Sequence, residues 1–382
     1  MKRVLTFLMT FLLVVGSLAV GVFTADLPFW QRAFELPLAP DGAYLPSATI
    51  GRDVPVALAA VPPAESAFDA TAVETVATRV RNAGSRALLV MRHGRLEIER
   101  YFAADDERTL LPAGFIARPV AAMAVGRAIA AGHIPSLDTP IGEILAEWTD
   151  SSRGRITVRQ LLEETSGLET GGDFAGLAQR SPWSDLHRLP AFATSKGVRM
   201  MLGNDFPSTA LGFSLRHEPG GFYNRSPANT QLAAVLVERA SGEPYEKYVD
   251  ALWQGAGAGH AELQLDRRAG MPAAHCCFRA AARDVLRIAN LLVQENPAVL
   301  PAGWAAQMSR RSRVNADTGL ELSREVHDGL DVLSSSDDTG SSFWVVPQLG
   351  LTIVNVAGPG GGVMPELPDL LLAAMRPESK AR

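Results

Sequence analysis

The sequence predicts an α+β fold with an antiparallel sheet flanked by helices. Residues 67–83 carry apolar side chains at helical spacing, and residues 86–102 then form a hairpin pattern around a His93-Gly94 turn. Near the other end, residues 341–347 and 350–357 have the composition of two strands joined by a tight turn. The apolar stretch 367–375 then suits a C-terminal helix. His93 is interpreted as a turn residue and not as a catalytic base.

Length and composition bound the class of protein. The chain has 382 residues, of which 47% are hydrophobic and 20% charged, so it suits one large two-lobed domain or two closely packed domains. A net charge of −5 and a pI near 5.9 give no reason to expect nucleic acid as a partner. No spacing of Cys or His indicates a metal site, and no cofactor is predicted.

The only two cysteines, Cys276 and Cys277, are adjacent and cannot form a disulfide framework. A vicinal disulfide is one interpretation, but it would be strained. Two small buried side chains are the favoured interpretation.

The N-terminus predicts a membrane segment. Residues 4–23 are uncharged and mostly apolar, and they follow Lys2 and Arg3. This length suits a spanning helix, and positive-inside orientation sends the rest of the chain outward. We therefore expect residues 1–25 to be an uncleaved single-pass anchor in the inner membrane, with the body on the periplasmic side. A cleaved signal peptide that releases the protein to the periplasm is the alternative.

Two segments carry weaker patterns. Residues 26–66, rich in Pro, Gly and Ala, are predicted to be an extended stretch that wraps the domain surface. Its aromatic residues Phe29, Trp30 and Phe34 either pack on the domain, which is favoured, or lie at a membrane interface. Residues 331–340 form a polar cluster that predicts a turn.

Four further stretches contain recognisable motifs. Residues 111–133 predict a loop followed by a buried, Ala-rich helix, and residues 155–168 read Arg-Ile-Thr-Val-Arg-Gln-Leu-Leu-Glu-Glu-Thr-Ser-Gly-Leu. Residues 219–242 begin Pro-Gly-Gly-Phe-Tyr-Asn-Arg, continue through Asn-Thr-Gln-Leu and end in Ser-Gly. Residues 280–288 read Ala-Ala-Ala-Arg-Asp-Val-Leu-Arg-Ile.

Together these motifs resemble the serine hydrolase family of class C β-lactamases and penicillin-binding proteins, which includes 6-aminohexanoate-dimer hydrolases. The resemblance implies a central antiparallel sheet flanked by helices and a mostly helical lobe. It places the domain at residues 67–376, with the lobe inserted at about 103–330 and a tail at 377–382. It also implies a Ser-x-x-Lys nucleophile and base at the start of the Ala-rich helix.

The catalytic residues of the family are missing from this motif. The serine position falls on Phe115 and the lysine position on Arg118. Phe115 has no nucleophilic atom, and Arg118 stays protonated and cannot act as a base. The chain has only four lysines, Lys2, Lys196, Lys247 and Lys380, and none completes a Ser-x-x-Lys.

Two other family positions are also altered. The tyrosine that acts beside the lysine falls on Arg225, although Tyr223 could take that role if the loop has shifted. The strand position that supplies a cation to the oxyanion hole reads Asp338-Thr339-Gly340. A carboxylate there would oppose a developing oxyanion.

These losses predict a catalytically degenerate envelope protein that binds or scaffolds through the former cleft. Arg118, Arg225 and Asp338 are expected to converge with a positive excess that binds a small anionic ligand, a carboxylate or a phosphate. The favoured alternative is a closed cleft in which Asp338 bridges the arginines and Phe115 fills the serine position. An envelope protein is the other candidate partner.

The competing class is an active serine hydrolase, an esterase, amidase or β-lactamase-like enzyme with a displaced nucleophile. Tyr223, Ser226 and Ser166 are the candidates, and none has an evident base. Ser166 is more simply a turn residue in its Thr-Ser-Gly motif.

Overall fold

A computed structural model describes residues 26–35, 45–172 and 189–377. Its centre is a six-stranded antiparallel sheet in the order β3-β2-β10-β9-β8-β7. The strands are β2 Ser85–Arg92, β3 Arg95–Tyr101, β7 Ser323–His327, β8 Leu330–Ser336, β9 Ser342–Val346 and β10 Leu351–Ala357. The predicted α+β class with an antiparallel sheet flanked by helices is confirmed.

The hairpin of β2 and β3 forms where the sequence predicts it. His93 and Gly94 both have positive φ, 47° and 75°, as a tight two-residue hairpin turn requires. Strand β10 pairs with β2 on one side and with β9 on the other, and all seven of its residues are buried. The sheet is therefore covered on both faces.

Each face has its own hydrophobic layer because successive side chains of a strand point to opposite sides. Helices α2 Ala70–Asn82 and α12 Leu367–Ala374 pack against the face that carries Leu88 and Val90. The face that carries Leu89 packs against the second lobe. Both helices lie within the stretches predicted to be helical.

The second lobe contains most of the remaining helices and a small sheet in the order β1-β5-β6-β4. Its strands are β1 Ser47–Ile50, β4 Leu111–Pro112, β5 Ala261–Gln264 and β6 Phe278–Ala280. Its helices are α3 Ala117–Ala130, α4 Val158–Leu162, α5 Leu189–Thr194, α6 Lys196–Leu202, α7 Phe206–Leu211, α8 Pro227–Ser241, α9 Tyr245–Gly255, α10 Ala282–Asn290 and α11 Trp304–Met308.

Helix α3 is the buried, Ala-rich helix of the sequence analysis, and it packs beside α8 in the centre of the lobe. Small side chains let neighbours approach closely. A Cβ on Gly126 would lie 2.3 Å from the Trp304 ring, whose Nε1 donates a hydrogen bond to the Ala122 carbonyl at 3.2 Å. These contacts pack the middle of α3 closely against Trp304.

Residues 26–66 differ from the extended wrap that the sequence predicts. They include a helix, α1 Leu27–Glu35, as well as strand β1. The helix forms because Phe29 and Trp30 bury their rings against the lobe, and Arg32 donates hydrogen bonds to the carbonyls of Leu202 and Gly203. Phe34, the third aromatic, is 54% exposed.

The polar turn predicted at residues 331–340 is wrong for its first part. Residues 331–336 belong to β8, which pairs with both β7 and β9. Cross-strand pairing overrides the polar composition here, since Ser334 and Ser335 are small enough to be buried within the sheet. Only residues 337–340 form the turn.

Some sequence predictions lie outside the described residues. These are the anchor with its apolar run 4–23, residues 36–44 of the predicted wrapping segment, residues 173–188 of the lobe, and residues 378–382 of the tail. Within the described ranges, no helix is long and apolar enough to cross a membrane.

Candidate functional site

A cleft of about 500 Å³ lies where the lobe meets the end of strand β8. The turn that leads into α3, the loop after α4, the start of α8 and the loop between β5 and β6 all contribute walls. Residues that line it include Pro112, Gly114, Phe115, Arg118, Glu164, Thr170, Met200, Met201, Arg225, Ser226, Thr230, His275, Cys276, Cys277, Phe278, Ser335, Ser336, Asp337, Asp338 and Thr339.

Phe115 occupies the position expected of a nucleophile. It lies in the 3-10 turn Gly114–Ile116, directly before α3, and its side chain is only 2% exposed. The Ser335 hydroxyl donates a hydrogen bond to the Phe115 carbonyl at 2.7 Å, so strand β8 fixes this turn. A phenyl ring therefore forms the inner wall of the cleft where the family has a hydroxyl.

Arg118 lies one residue into α3, and its counter-ions are two buried glutamates. The Glu321 Oε2 atom lies 3.4 Å from the Arg118 Nε atom, and the Glu321 side chain is fully buried. Thr230 donates a hydrogen bond to the other Glu321 oxygen at 2.8 Å. Glu164, which lines the cleft, accepts hydrogen bonds from the Ser226 amide at 3.0 Å and from the Asn229 side chain at 2.5 Å.

Ionising both buried glutamates at the same time is energetically unfavourable. Burial and the neighbouring Glu164 carboxylate raise the pKa of Glu321 well above its usual range. Burial also raises the pKa of Glu164, against the opposing effects of the Arg118 charge and of its hydrogen-bond donors. The raised pKa values of both carboxyl groups favour a single proton shared by the pair over two full negative charges. A single negative charge on the pair would balance Arg118.

Sequence reasoning missed both glutamates. Neither belongs to a catalytic motif: Glu164 precedes the Thr-Ser-Gly turn, and Glu321 lies in a loop before β7. A signal was present nonetheless. An arginine in a buried, Ala-rich helix needs a buried acidic partner, because an unpaired buried charge is strongly unfavourable.

Arg225, Asp338 and Thr339 line the same cleft and are exposed at its rim, whereas Gly340 is buried outside the lining. Within the described part of the chain, no ion pair joins Asp338 to Arg118 or Arg225. The expected bridge through Asp338 is therefore wrong, because Arg118 is already paired with Glu321.

The charge balance also differs from the sequence-based expectation. Asp337 is a third carboxyl group that the sequence reasoning did not count, and it lines the cleft beside Asp338. It accepts hydrogen bonds from the amides of Thr339 and Ser341, and burial raises its pKa. With Glu164 and Glu321 included, the acidic groups outnumber the two arginines, so the expected positive excess is absent at neutral pH.

The proposed substitute nucleophiles are placed unfavourably. Tyr223 is half-buried near the cluster, and burial together with the Glu164 charge raises the pKa of its phenol. Ser166 is fully buried and donates to Asn229 Oδ1 at 2.6 Å. Ser226 is 2% exposed and donates to the Glu169 carbonyl at 2.7 Å.

Two other basic side chains near the cleft, Lys196 and His275, already have polar partners. The Lys196 ammonium pairs with the Glu169 carboxylate at 2.5 Å. His275 lines the cleft, but burial lowers its pKa to about 4, and its Nδ1 atom lies 3.0 Å from Gln231 Oε1. Neither group is positioned as a strong general base for an exposed hydroxyl.

Cys276 and Cys277 are joined by a disulfide, so the favoured interpretation of two free buried thiols is wrong. Neighbouring side chains of an extended chain point to opposite faces. Cys277 instead has a φ of 66°, in the left-handed region, which turns the chain so that the two sulfur atoms meet. The disulfide forms part of the cleft wall.

Comparison with known proteins agrees with this architecture. Residues 71–364 match the family model described as Beta-lactamase. Among solved structures, a protein described as a 6-aminohexanoate-dimer hydrolase from Bacillus anthracis is 14% identical, with a TM-score of 0.65 over 90% of this chain and 92% of that chain. No curated protein gives a significant match.

Two penicillin-binding proteins have similar folds. One from Bacillus halodurans is 18% identical, with a TM-score of 0.57 over 79% of this chain and 98% of that chain. An octameric homologue from Pyrococcus abyssi is 14% identical, with a TM-score of 0.60 over 80% and 77% of the two chains. At these identities the likeness shows a shared fold.

Replacing Glu321 with Gln should change how stability depends on pH. Folding raises the pKa of Glu321, so its stabilising contribution is present below the unfolded-state pKa and is lost as pH rises through the folded-state pKa. Relative to the wild type, Glu321→Gln should therefore gain stability as pH rises above the usual range of a glutamate carboxyl group. Urea unfolding at a series of pH values measures this.

Glu143→Gln is the matched control because it removes an exposed carboxyl group. Parallel pH profiles for wild type and Glu321→Gln would show that Glu321 titrates normally.

Proposed function

This chain belongs to the Beta-lactamase family of serine hydrolases, and we propose that it is a catalytically degenerate member whose cleft binds a ligand without hydrolysing it. Covalent hydrolysis by this family's chemistry requires a hydroxyl at the start of the Ala-rich helix and an amine that can accept its proton. This chain has neither at those positions.

The observation that carries the proposal is the state of Phe115 and Arg118. The Phe115 ring is almost fully buried in the cleft wall. The Arg118 Nε atom lies 3.4 Å from a carboxylate oxygen of the buried Glu321. If only the nucleophile had been lost, the base would remain available to activate another nucleophile. Here the position of the base is occupied by a group that remains protonated and has its own counter-ion.

An active hydrolase with a displaced nucleophile is the competing proposal. Ser166, Ser226 and Tyr223 are disfavoured by burial, by existing hydrogen bonds or by a raised pKa. Ser336 and Thr170 are exposed hydroxyls in the cleft lining. Within the described residues neither hydroxyl is hydrogen-bonded to a side chain that could act as a base, so the binding function is the better supported of the two.

The proposed ligand is a small anion with an apolar part. Phe115, Met200 and Phe278 provide apolar walls, while Arg225 offers an exposed guanidinium at the rim. Arg118 contributes little positive charge while the glutamate pair shares one negative charge. Protonation of that pair would leave Arg118 uncompensated, so anion binding should strengthen as pH falls.

The proposed location is the periplasmic side of the inner membrane, with residues 4–23 as a single-pass anchor and release to the periplasm as the alternative. The apolar run behind Lys2 and Arg3 supports it. The disulfide between Cys276 and Cys277 agrees with an oxidising compartment, because such bonds are rare in the cytosol.

Labelling with a fluorophosphonate tests the loss of catalysis. We expect residues 26–382, shown to be folded by circular dichroism, to keep their unmodified intact mass after treatment, because no activated serine faces the cleft. An active family member treated in parallel is the positive control. One adduct per chain would overturn the proposal, and peptide mapping would then identify the nucleophile.

Binding of butyrate and of inorganic phosphate, measured by calorimetry, tests the ligand class. Arg225→Ala should weaken binding by about tenfold, the size of one charged hydrogen bond. Arg268→Ala, an exposed arginine outside the cleft, is the matched control. The wild type should bind more tightly at about pH 5 than at about pH 7.5. Equal affinities for Arg225→Ala and wild type would refute an anion site at the rim.

A further inference from the structure

We propose that the Cys276–Cys277 disulfide is a thiol-exchange site in the cleft wall, where an external dithiol reduces the bond and changes the shape of the cleft. This inference goes beyond ligand binding, and it does not depend on which ligand the cleft takes. It rests on the position of the disulfide, on the backbone of Cys277 and on the contacts that hold the surrounding loop.

The position allows a reagent to reach the bond. Both cysteines are half-buried and line the cleft. On their other side they pack against an apolar cluster formed by Leu45, Phe206 and Ala273. One side of the disulfide therefore faces the cleft and the other faces the core, and attack is expected from the cleft.

The backbone conformation of Cys277 favours movement of the cleft wall once the disulfide is reduced. Its φ of 66° lies in the left-handed region, which is unfavourable for an L-residue other than Gly. The ring that the vicinal disulfide closes holds this conformation. Once the ring opens, Cys277 is free to return to negative φ, and the strain is released.

Contacts on both sides of the cysteines confine this movement to a short segment. Gln231 Oε1 accepts a hydrogen bond from the Ala274 amide at 3.0 Å, and the Ala113 amide donates to the Phe278 carbonyl at 2.8 Å. The segment between these anchors touches the turn before α3, since a Cβ on Gly114 would lie 3.3 Å from the Cys277 nitrogen. Movement of Cys277 would therefore displace the turn that contains Phe115.

The exchange is chemically balanced. A thiolate of the dithiol attacks one sulfur of the disulfide, forms a mixed disulfide and releases the other cysteine as a thiolate, which takes up a proton. The second thiol of the reductant then displaces the remaining cysteine and closes its own disulfide. Two electrons and two protons pass from the reductant to Cys276 and Cys277.

Alkylation followed by intact-mass measurement tests the chemistry. The folded chain should take up no iodoacetamide as purified, and two alkyl groups after treatment with dithiothreitol without denaturant. Two alkyl groups before reduction would show that no disulfide exists. Alkylation only after denaturation would show that a thiol cannot reach the bond, and either result would overturn the proposal.

Hydrogen–deuterium exchange tests the change of shape. Reduction should speed exchange at residues 111–118 and 273–280 on the order of tenfold, and leave the central strands β2 and β10 unchanged. A Cys276→Ser, Cys277→Ser double variant, which cannot form the ring, should show the faster exchange without reductant. Identical exchange in the oxidised, reduced and double-variant proteins would refute the link between the disulfide and the cleft.

Discussion

The buried charge of Arg118 is the constraint on which the cleft depends. It lies at the start of a helix whose other residues are almost all apolar, so its charge must be compensated inside the protein. Glu321 and Glu164 lie on two different loops and provide this compensation. Thr230 and Asn229 of α8 donate hydrogen bonds to them. One charge cluster thereby joins α3, α8 and the two loops that carry the glutamates.

The same cluster supports the proposed loss of hydrolysis. A general base must lose its proton near neutral pH, and a nucleophile must be exposed and unoccupied. Arg118 cannot deprotonate, and the glutamate pair is turned toward it. Phe115 places a nearly buried apolar ring in the turn directly before α3, at the position proposed for the lost nucleophile.

Much of the scaffold could be predicted from the sequence because it follows from local patterns. The β2–β3 hairpin needs only alternation and a His-Gly turn, and α3 needs only a long apolar stretch that ends at a glycine. The family itself was predicted from short motifs and is confirmed by the match over residues 71–364.

Non-local features could not be predicted in this way. Strand β8 owes its form to pairing with β9, although its own composition favours a turn. The partners of Arg118 are 46 and 203 positions away along the chain, as the residue numbers show, and no motif links them to it. The disulfide depends on a left-handed residue at position 277, which sequence alone disfavours for a cysteine.

The most direct test of the central claim is to observe the protonation of the glutamate pair. Carbon-13 NMR of protein labelled at glutamate carboxyl carbons should show, at neutral pH, one signal at the chemical shift of a protonated or shared carboxyl group. That signal should disappear in Glu321→Gln and persist in Glu143→Gln. If every glutamate carboxyl carbon titrates near its usual pKa, both glutamates are ionised at neutral pH, the cluster is not neutral, and Arg118 faces two negative charges.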